Sequence, residues 1–294
     1  MKTKKRIITK VGLMTEKFKI IKASSQSMVE NYRLMVASIA PRPIAFVGTQ
    51  NLKGNDNLAP FSFFNGFGAN PPIIGFSPAL SGRTGKPKDT LLNIQEVKEF
   101  TISMVSFEMA EQMSLSSCEY PIEVDEFSKS GFKKNNSNFI KPHGVFESPV
   151  IFECKLVDIV KLGSKPGSGN LILGEVVAFH VKENLFKGDI FDEKAMDLVG
   201  RMGYGNYVRS QDSVFTINKP KCISIGFDAL PDKIKNSEQL KGSHLAKLAS
   251  VDKIPPYKKS NDSFSDLYKE CIHRLDQNKI DDAWQIVHQI LRYE

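Results

Sequence analysis

Residues 41–93 read PRPIAFVGTQNLKGNDNLAPFSFFNGFGANPPIIGFSPALSGRTGKPKDTLLN and contain three short apolar runs separated by turn residues. The runs occupy residues 44–47, 58–64 and 73–76. Short apolar runs bounded by Gly, Pro and Asn favour strands over helices. The Lys-Gly-Asn turn at residues 53–55 suits a hairpin, because Gly and Asn accept the positive φ that such turns need. This stretch predicts a meander of antiparallel strands that curls into a barrel.

The end of the stretch is basic and opens a helix. RTGKPKDT (residues 83–90) precedes LLNIQEVKEF, whose apolar residues recur at helical spacing. With Asp89 or Thr90 as the N-cap, unpaired backbone N–H groups at the helix start would lie beside Arg83 and Lys88. Two interpretations remain open: a binding site for a phosphate, or an ordinary capped helix that follows a solvated basic loop.

The second apolar run is unusual for a strand because it contains Pro60. Proline cannot donate a ladder hydrogen bond, so it belongs at a sheet edge or a bulge. An irregular edge leaves backbone groups free to meet a ligand, and the polar Ser62 and Asn65 stand there among aromatic residues. The alternative is a core strand whose phenylalanines only pack, and both interpretations can hold, one for each face.

Composition narrows the class of protein. The net charge of +7 is mild, the lysines are dispersed and no nucleic-acid motif accompanies them, so we do not expect a nucleic-acid partner. The four cysteines form no CxxC pair, which argues against a zinc ribbon or a disulfide scaffold. No apolar run approaches the ~18 residues of a membrane span, and the basic N-terminus lacks the apolar core of a secretory signal. We therefore expect a cytoplasmic protein with free thiols, no metal site and no membrane partner.

Several motifs in a fixed order carry a family resemblance. PRPIAFV, NLAPFSFFN, NPPIIGFS and the R…KDTLLNI…EF segment resemble the flavin reductase-like, FMN-binding split-barrel family, in its flavoredoxin-type branch. GEVVAFHV (residues 174–181) and LVGRMGYGNY (residues 198–207) extend the resemblance, which runs from about residue 32 to about residue 219. It implies a mainly β fold with peripheral helices, a split β-barrel, and a homodimer with one FMN in each of two clefts at the subunit interface.

The resemblance also implies a set of cofactor contacts. Arg83, Lys88 and Thr90, with the amides of the helix start, would hold the FMN phosphate, and residues 57–65 would line the ring and the ribityl chain. Arg42 could equally be a plain surface arginine, and Tyr204 could equally belong to an aromatic interface patch. The expected cofactor-binding residues are Arg42, Asn57, Leu58, Ala59, Pro60, Phe61, Ser62, Asn65, Phe76, Ser77, Arg83, Lys88, Asp89, Thr90 and Tyr204.

The implied function is an oxidoreductase that passes electrons from NAD(P)H through non-covalent FMN to a small-molecule or protein acceptor. No catalytic residue is assigned, because hydride transfer to a flavin depends on proximity more than on a proton relay. Two alternatives stay open. One is a non-enzymatic electron-carrier flavoprotein, and the other is a split-barrel protein of the pyridoxamine-phosphate-oxidase type.

The length of 294 residues suggests more than one structural unit. We expect a lead-in segment or extra edge strand over residues 1–25, a split-barrel domain over residues 26–220, and a C-terminal extension over residues 221–294. Two amphipathic helices are predicted near the end, at about residues 263–276 and 280–292, after a polar, turn-rich stretch. The single tryptophan, Trp284, is predicted to bury against the barrel or against a partner subunit.

Three further predictions concern local structure. Residues 27–37 predict a helix with Ser27 as its N-cap, a capping box completed by Glu30, and an apolar face that packs on the barrel. Residues 192–199 predict a short helix. Residues 125–138 are polar and interrupted by glycine, so they predict a loop.

Overall fold

The chain divides into two compact units, with the division after Val214. The computed structural model describes residues 18–220, 222–258 and 264–292. Most of the predicted lead-in, residues 1–17, lies outside the described residues, and residues 23–25 form a single 3₁₀ turn. Within the described part of the chain, none of the helices has the length and apolar character needed to cross a membrane.

The first unit is built on one large antiparallel sheet and three short ribbons. The strands are β1 (Ala45–Gln50), β2 (Asp56–Phe61), β3 (Phe64–Ala69), β4 (Pro72–Phe76), β5 (Glu99–Met104), β6 (Lys134–Asn135), β7 (Gly144–Val145), β8 (Val150–Lys161), β9 (Asn170–Val181), β10 (Phe186–Lys187), β11 (Ile190–Phe191), β12 (Val199–Arg201) and β13 (Tyr207–Arg209). The large sheet has seven strands in the order β2-β1-β5-β8-β9-β4-β3, and the two-stranded ribbons are β6-β7, β10-β11 and β12-β13. The prediction of a mainly β fold with peripheral helices is confirmed.

The prediction of a single strand over residues 57–65 is wrong. The structure divides this run into β2 and β3, which lie at opposite edges of the sheet. β2 pairs with β1 across the predicted hairpin at residues 53–55, whereas β3 pairs with β4. The chain changes direction at Ser62 and Phe63, where the carbonyl of Phe63 accepts a hydrogen bond from the backbone N–H of Ser77. The run therefore links two hairpins, because each half has a different partner.

The described part of the first unit contains four α-helices. They are α1 (Met28–Ser38), α2 (Asp89–Val97), α3 (Ala110–Leu115) and α4 (Glu126–Ser130). The capping box of Ser27 and Glu30 at the start of α1 is confirmed. The prediction that α1 packs an apolar face on the barrel is wrong, because Val36 is its one buried residue. Its other apolar side chains are exposed.

Three local predictions need correction. The N-cap of α2 is Lys88 and not Asp89 or Thr90, both of which lie inside the helix. The predicted helix over residues 192–199 is a 3₁₀ turn at Glu193–Met196 followed by β12. The predicted loop over residues 125–138 contains α4, which begins because the Asp125 side chain accepts a hydrogen bond from the backbone N–H of Phe127.

Two apolar clusters form the core of the first unit. One surrounds Phe76 and Phe100, whose rings meet edge to face at a centroid distance of 5.5 Å. The other contains Phe46, together with Met109 and Met113 from the segment around α3. Both methionines are almost fully buried there. The packed core fixes the strands that carry the site described below.

The second unit is helical and has an apolar core of its own. Its helices are α5 (Asp232–Lys235), α6 (Gly242–Ala249), α7 (Leu267–Asp276) and α8 (Ile280–Arg292). The two predicted C-terminal helices are therefore confirmed as α7 and α8. The stretch predicted as polar and turn-rich contributes core residues of its own, among them Ile234, Leu240 and Leu248.

The prediction that Trp284 is buried is confirmed, but its surroundings differ from those expected. The residues that cover it belong to the helical core of the second unit. Its indole N–H donates a hydrogen bond of 3.1 Å to the carbonyl oxygen of Leu248. Buried indole N–H groups need such an acceptor. The residues from α5 and α6 supply enough apolar surface for this core to close on itself.

Candidate functional site

A cleft runs along the free edge of β2 and reaches the start of α2. It consists of two adjoining cavities of about 710 Å³ and 330 Å³ that share Pro60, Phe61, Ser81, Lys88, Ser117 and Glu119. Aromatic side chains of Tyr32, Phe61 and Phe63 line the larger cavity together with serine hydroxyls. Because β2 ends the sheet, the backbone groups on its outer side have no strand to pair with. The cleft therefore combines walls of aromatic side chains with backbone groups that can form hydrogen bonds to a ligand.

Most of the predicted cofactor residues line this cleft. They come from three places in the chain: the end of β2, the segment after β4, and the start of α2. The predicted residues that the structure brings together here are Asn57, Ala59, Pro60, Phe61, Ser62, Ser77, Arg83, Lys88, Asp89 and Thr90.

Five predicted residues lie elsewhere. Leu58 and Phe76 are fully buried in the two apolar clusters. Asn65 lies on β3, where its side-chain oxygen accepts a hydrogen bond from the next backbone N–H. Arg42 and Tyr204 line a separate, smaller cavity. For Leu58, Asn65 and Phe76, which lie on strands, the sequence alone could not decide which side chains face the cleft, because alternate residues of one strand point to opposite faces.

The basic end of the cleft is organised around a carboxylate. The Arg83 guanidinium bonds to one oxygen of Glu119, and the Lys88 ammonium lies 3.3 Å from the other. The hydrogen bond and charge of Lys88, with the charge of Arg83, lower the pKa of Glu119. The structure thus shows that these two cations converge on one anionic group. Sequence analysis missed Glu119, because it lies 31 residues beyond Lys88 in a segment without a motif.

The start of α2 adds backbone donors to this end. Lys88 makes no side-chain cap, and within the described residues no acceptor pairs with the backbone N–H groups of Asp89 and Thr90. Unpaired N–H groups at a helix start favour an anion, as does the helix dipole. Burial raises the pKa of the Asp89 carboxyl, and the charge of Lys88 opposes this shift.

Thr90 lies at the wall of the second cavity, but its side chain is only 1% exposed. Its hydroxyl oxygen accepts a 3.0 Å hydrogen bond from the Asn57 amide. The Asn57 amide also donates to the hydroxyl of Thr49, 3.2 Å away. Thr90 therefore ties the start of α2 to β2 and β1, and its hydroxyl oxygen already accepts one hydrogen bond. The expected direct contact of this hydroxyl with a phosphate stays a prediction.

Glu126 lines the second cavity and was also missed, because its segment was predicted as a loop. It is the first residue of α4, and its carboxylate accepts a 3.1 Å hydrogen bond from the backbone N–H of Leu58. Burial is the main cause that raises the pKa of this carboxyl. Glu126 thus joins α4 to the strand that forms one wall of the cleft.

Arg42 is 5% exposed, which excludes the plain surface arginine. Its Nη1 donates to the carbonyl oxygens of Val36 and Ile39, both at 2.6 Å, and its Nη2 donates to that of Met202 at 3.0 Å. Its Nε lies 3.4 Å from the Ser62 hydroxyl, which belongs to the cleft wall. Arg42 therefore holds the end of α1 beside the cleft.

Comparison with known proteins agrees with this architecture. Residues 37–198 match the family described as the flavin reductase like domain. An uncharacterized protein of Halalkalibacterium halodurans is 35% identical over 198 residues, which covers 67% of this chain and 94% of that protein. The family match ends before the second unit begins at Phe215.

Solved structures show the same fold. Nitrilotriacetate monooxygenase component B from Bacillus cereus is 29% identical with a TM-score of 0.65, and the match covers 69% of this chain and 100% of that chain. A putative flavin reductase with a split-barrel domain from Shewanella frigidimarina is 25% identical with a TM-score of 0.58, covering 67% of this chain and 95% of that chain. The split barrel inferred from the sequence motifs is confirmed, and the chain belongs to the flavin reductase like family.

Proposed function

We propose that the protein binds FMN non-covalently in the cleft and acts as an oxidoreductase that passes electrons from NAD(P)H to an acceptor. The observation that carries this proposal is the continuity of the cleft, which joins an aromatic, hydroxyl-lined wall to the cationic pair Arg83 and Lys88. This combination suits a ligand with a flat ring at one end, which would meet the aromatic wall, and a phosphate on a flexible chain at the other, which would meet the cations.

The residues present fit this cofactor in size and chemistry. A cavity of about 710 Å³ lies within the usual range for cofactor sites. Phe61 and Ser77 lie at the ring end, and Lys88 with the free N–H groups of α2 lies at the phosphate end. Glu119 marks the point where an anion satisfies both cations, and the phosphate would take its place there.

The chain would bind and orient the cofactor, and the flavin would supply the hydride and electron chemistry. The end of β2 would hold the ring through backbone groups, and the hydroxyls of Ser62 and Ser77 would donate to or accept from its polar edge. The aromatic pair of Tyr32 and Phe63, with centroids 6.5 Å apart, would limit access of water to one side. This leaves the other side of the ring for the nicotinamide donor.

A homodimer with FMN at the interface is part of the proposal. α1 exposes a row of apolar side chains beside the cleft, and one of them, Tyr32, also lines the cleft. Exposed apolar surface of this kind marks an interaction site. A second copy that covers α1 would bury this surface and close the cleft at the same time. The exposed apolar residues of α1 are Met28, Val29, Tyr32, Leu34 and Met35.

FMN titration of the purified protein, followed by quenching of flavin fluorescence, tests the cofactor. The variant Lys88→Gln should weaken FMN binding roughly 10- to 100-fold, because charge-assisted hydrogen bonds contribute about 1.5–3 kcal/mol. Riboflavin, which has no phosphate, should bind equally to the unchanged protein and to the Lys88→Gln variant. The matched control is Lys98→Gln, at the other end of α2. Equal FMN affinity in all three proteins would remove the phosphate site from the proposal.

Anaerobic addition of NADH or NADPH to the FMN-loaded protein tests the activity. Loss of the oxidised-flavin absorbance supports the oxidoreductase. If FMN binds but neither nucleotide reduces it, the protein is instead an electron carrier, and the NAD(P)H assignment is wrong. Sedimentation of the loaded protein as a monomer would contradict the proposed dimer.

A further inference from the structure

Beside the cleft lies a second, smaller cavity of about 210 Å³ that the cofactor does not account for. Three arginines, Arg33, Arg42 and Arg201, line it together with Tyr32 and Tyr204. We call it the arginine cavity. It brings together α1, the residues before β1 and the ribbon of β12 and β13, which are far apart in sequence.

No acidic residue lines the arginine cavity, and no ion pair joins its three arginines to a carboxylate within the described residues. Glu30 is near enough for the charge of Arg33 to lower its pKa. However, the Glu30 carboxylate is exposed and accepts a hydrogen bond from the backbone N–H of Ser27. Burial is the main cause that lowers the pKa of Arg42. Tyr32 opposes this shift, and the charge of Arg201 adds to it. Like charges that meet without a counter-ion repel each other, so an anion placed between them would be stabilised.

Internal contacts explain part of this arrangement. The guanidinium of Arg42 lies at the C-terminal end of α1, where the free carbonyl groups favour a cation. Its four hydrogen bonds leave one of five N–H donors unpartnered within the described residues. The fold therefore uses four of the Arg42 N–H donors and leaves one that a ligand can use.

Arg33 and Arg201 have more N–H donors without a hydrogen-bond partner among the described residues than Arg42 has. Arg201 gives one hydrogen bond, 2.7 Å from its Nη2 to the carbonyl oxygen of Tyr204, and its guanidinium lies 4.5 Å from the ring centre of Tyr207. Arg33 donates no hydrogen bond to any described residue. Both can therefore turn their remaining N–H groups towards a bound group.

Two contacts connect the arginine cavity to the cleft. Tyr32 lines both. Ser62 lines the cleft, and its hydroxyl is the partner of the Arg42 Nε. A molecule whose reacting part lies against the flavin can therefore place another part among the arginines.

We propose that the arginine cavity binds a carboxylate or phosphate group of the substrate that reacts with the flavin. This rests on the proposed function of the cleft. The cavity exceeds the ~30 Å³ share of a water molecule but is smaller than the ~300 Å³ of a complete ligand site, so it suits one anionic group and not a whole substrate. Arg42 forms its fixed wall, while Arg33 and Arg201 close on the anion.

Calorimetric titration of the full-length protein with benzoate and with inorganic phosphate tests the site. Both titrations use the Lys88→Gln background at fixed ionic strength, which weakens competition from the other basic site. Arg201→Gln should weaken anion binding roughly tenfold, and the more exposed Arg33→Gln about threefold. The matched control Lys53→Gln, in the β1–β2 turn, should bind like its parent. Arg42 is not substituted, because its burial makes unfolding the expected result.

The two probes separate the sources of the anion. Binding of benzoate that depends on Arg201 indicates a carboxylic-acid substrate, and binding of phosphate that depends on Arg201 indicates a phosphorylated substrate. No binding of either probe, or binding that neither arginine variant changes, overturns the inference. Because these titrations contain no flavin, their failure leaves FMN binding to be judged separately, and a failure of FMN to bind would not alter them.

Discussion

The hydrogen bond between Asn57 and Thr90 predicts a measurable coupling between a strand and the start of a helix. The Asn57 amide lies 3.0 Å from the Thr90 hydroxyl oxygen and 3.2 Å from that of Thr49. Asn93, in α2, donates to the same Thr49 hydroxyl at 3.1 Å. The substitution Thr90→Val removes one acceptor from this network and changes little else in shape.

The size of the effect follows from the burial of the two partners. Thr90 is 1% exposed, so Val at this position stays buried and gains no solvent contact. Asn57 is half-buried and keeps its bond to Thr49, so its amide is not left wholly unpaired. A lost hydrogen bond costs about 0.5–1.5 kcal/mol, and a buried partner left unsatisfied raises this to about 1–3 kcal/mol. We expect a loss of about 1–2 kcal/mol in the free energy of unfolding.

A double-mutant cycle of Thr90→Val and Asn57→Ala isolates this contact. Calorimetric unfolding is the suitable assay, because it follows the unfolding of the first unit directly, whereas the single tryptophan lies in the core of the second unit. The coupling energy should be about 0.5–1.5 kcal/mol, so the double variant is more stable than the sum of the single losses predicts.

Additive losses in this cycle would refute the reasoning. They would show that Thr90 and Asn57 act independently, and that the start of α2 is not tied to β2 through this bond. A Thr90→Val protein with unchanged stability would contradict the magnitude as well. In either case the position of the basic end of the cleft would need another explanation.

Three other predictions follow from the structure. Glu119→Gln should tighten FMN binding roughly two- to fivefold, because the phosphate no longer displaces an exposed ion pair; unchanged affinity in a fluorescence titration would contradict this. Burial raises the pKa of the Glu126 carboxyl in the folded protein above its ordinary value of 4.5, so the folded state holds this proton more tightly than the unfolded state does. The resulting stabilisation is full below pH 4.5 and is lost as the pH rises through the folded-state pKa. Glu126→Gln should therefore flatten this part of a pH series of unfolding curves, and an unchanged pH dependence would count against it. Trp284→Ala should destabilise the helical unit by about 3–5 kcal/mol in urea unfolding followed by circular dichroism; a loss below 1 kcal/mol would disagree with its full burial.

Local chemistry explains why much of the site could be predicted. The basic segment before α2 was recognisable because cations and an unpaired helix start within one short stretch suit an anion. Pro60 marked β2 as an edge strand, and the structure places β2 at the end of the sheet. Glu119 and Glu126 could not be found this way, because their roles come from contacts with residues 31 and 68 positions away.

The sequence by itself determined the strands around residues 44–47 and 73–76, the turn at residues 53–55, the two C-terminal helices and the family, because these depend on residue spacing and on local backbone preferences. Only the tertiary structure decided that residues 57–65 divide between opposite edges of the sheet, that Trp284 belongs to a separate helical core, and that Arg42 lies in a cavity with two other arginines. The physical reason is that these outcomes depend on which distant segments pack together. Burial, charge and hydrogen bonds between such segments are settled when the whole chain folds, and no local pattern records them.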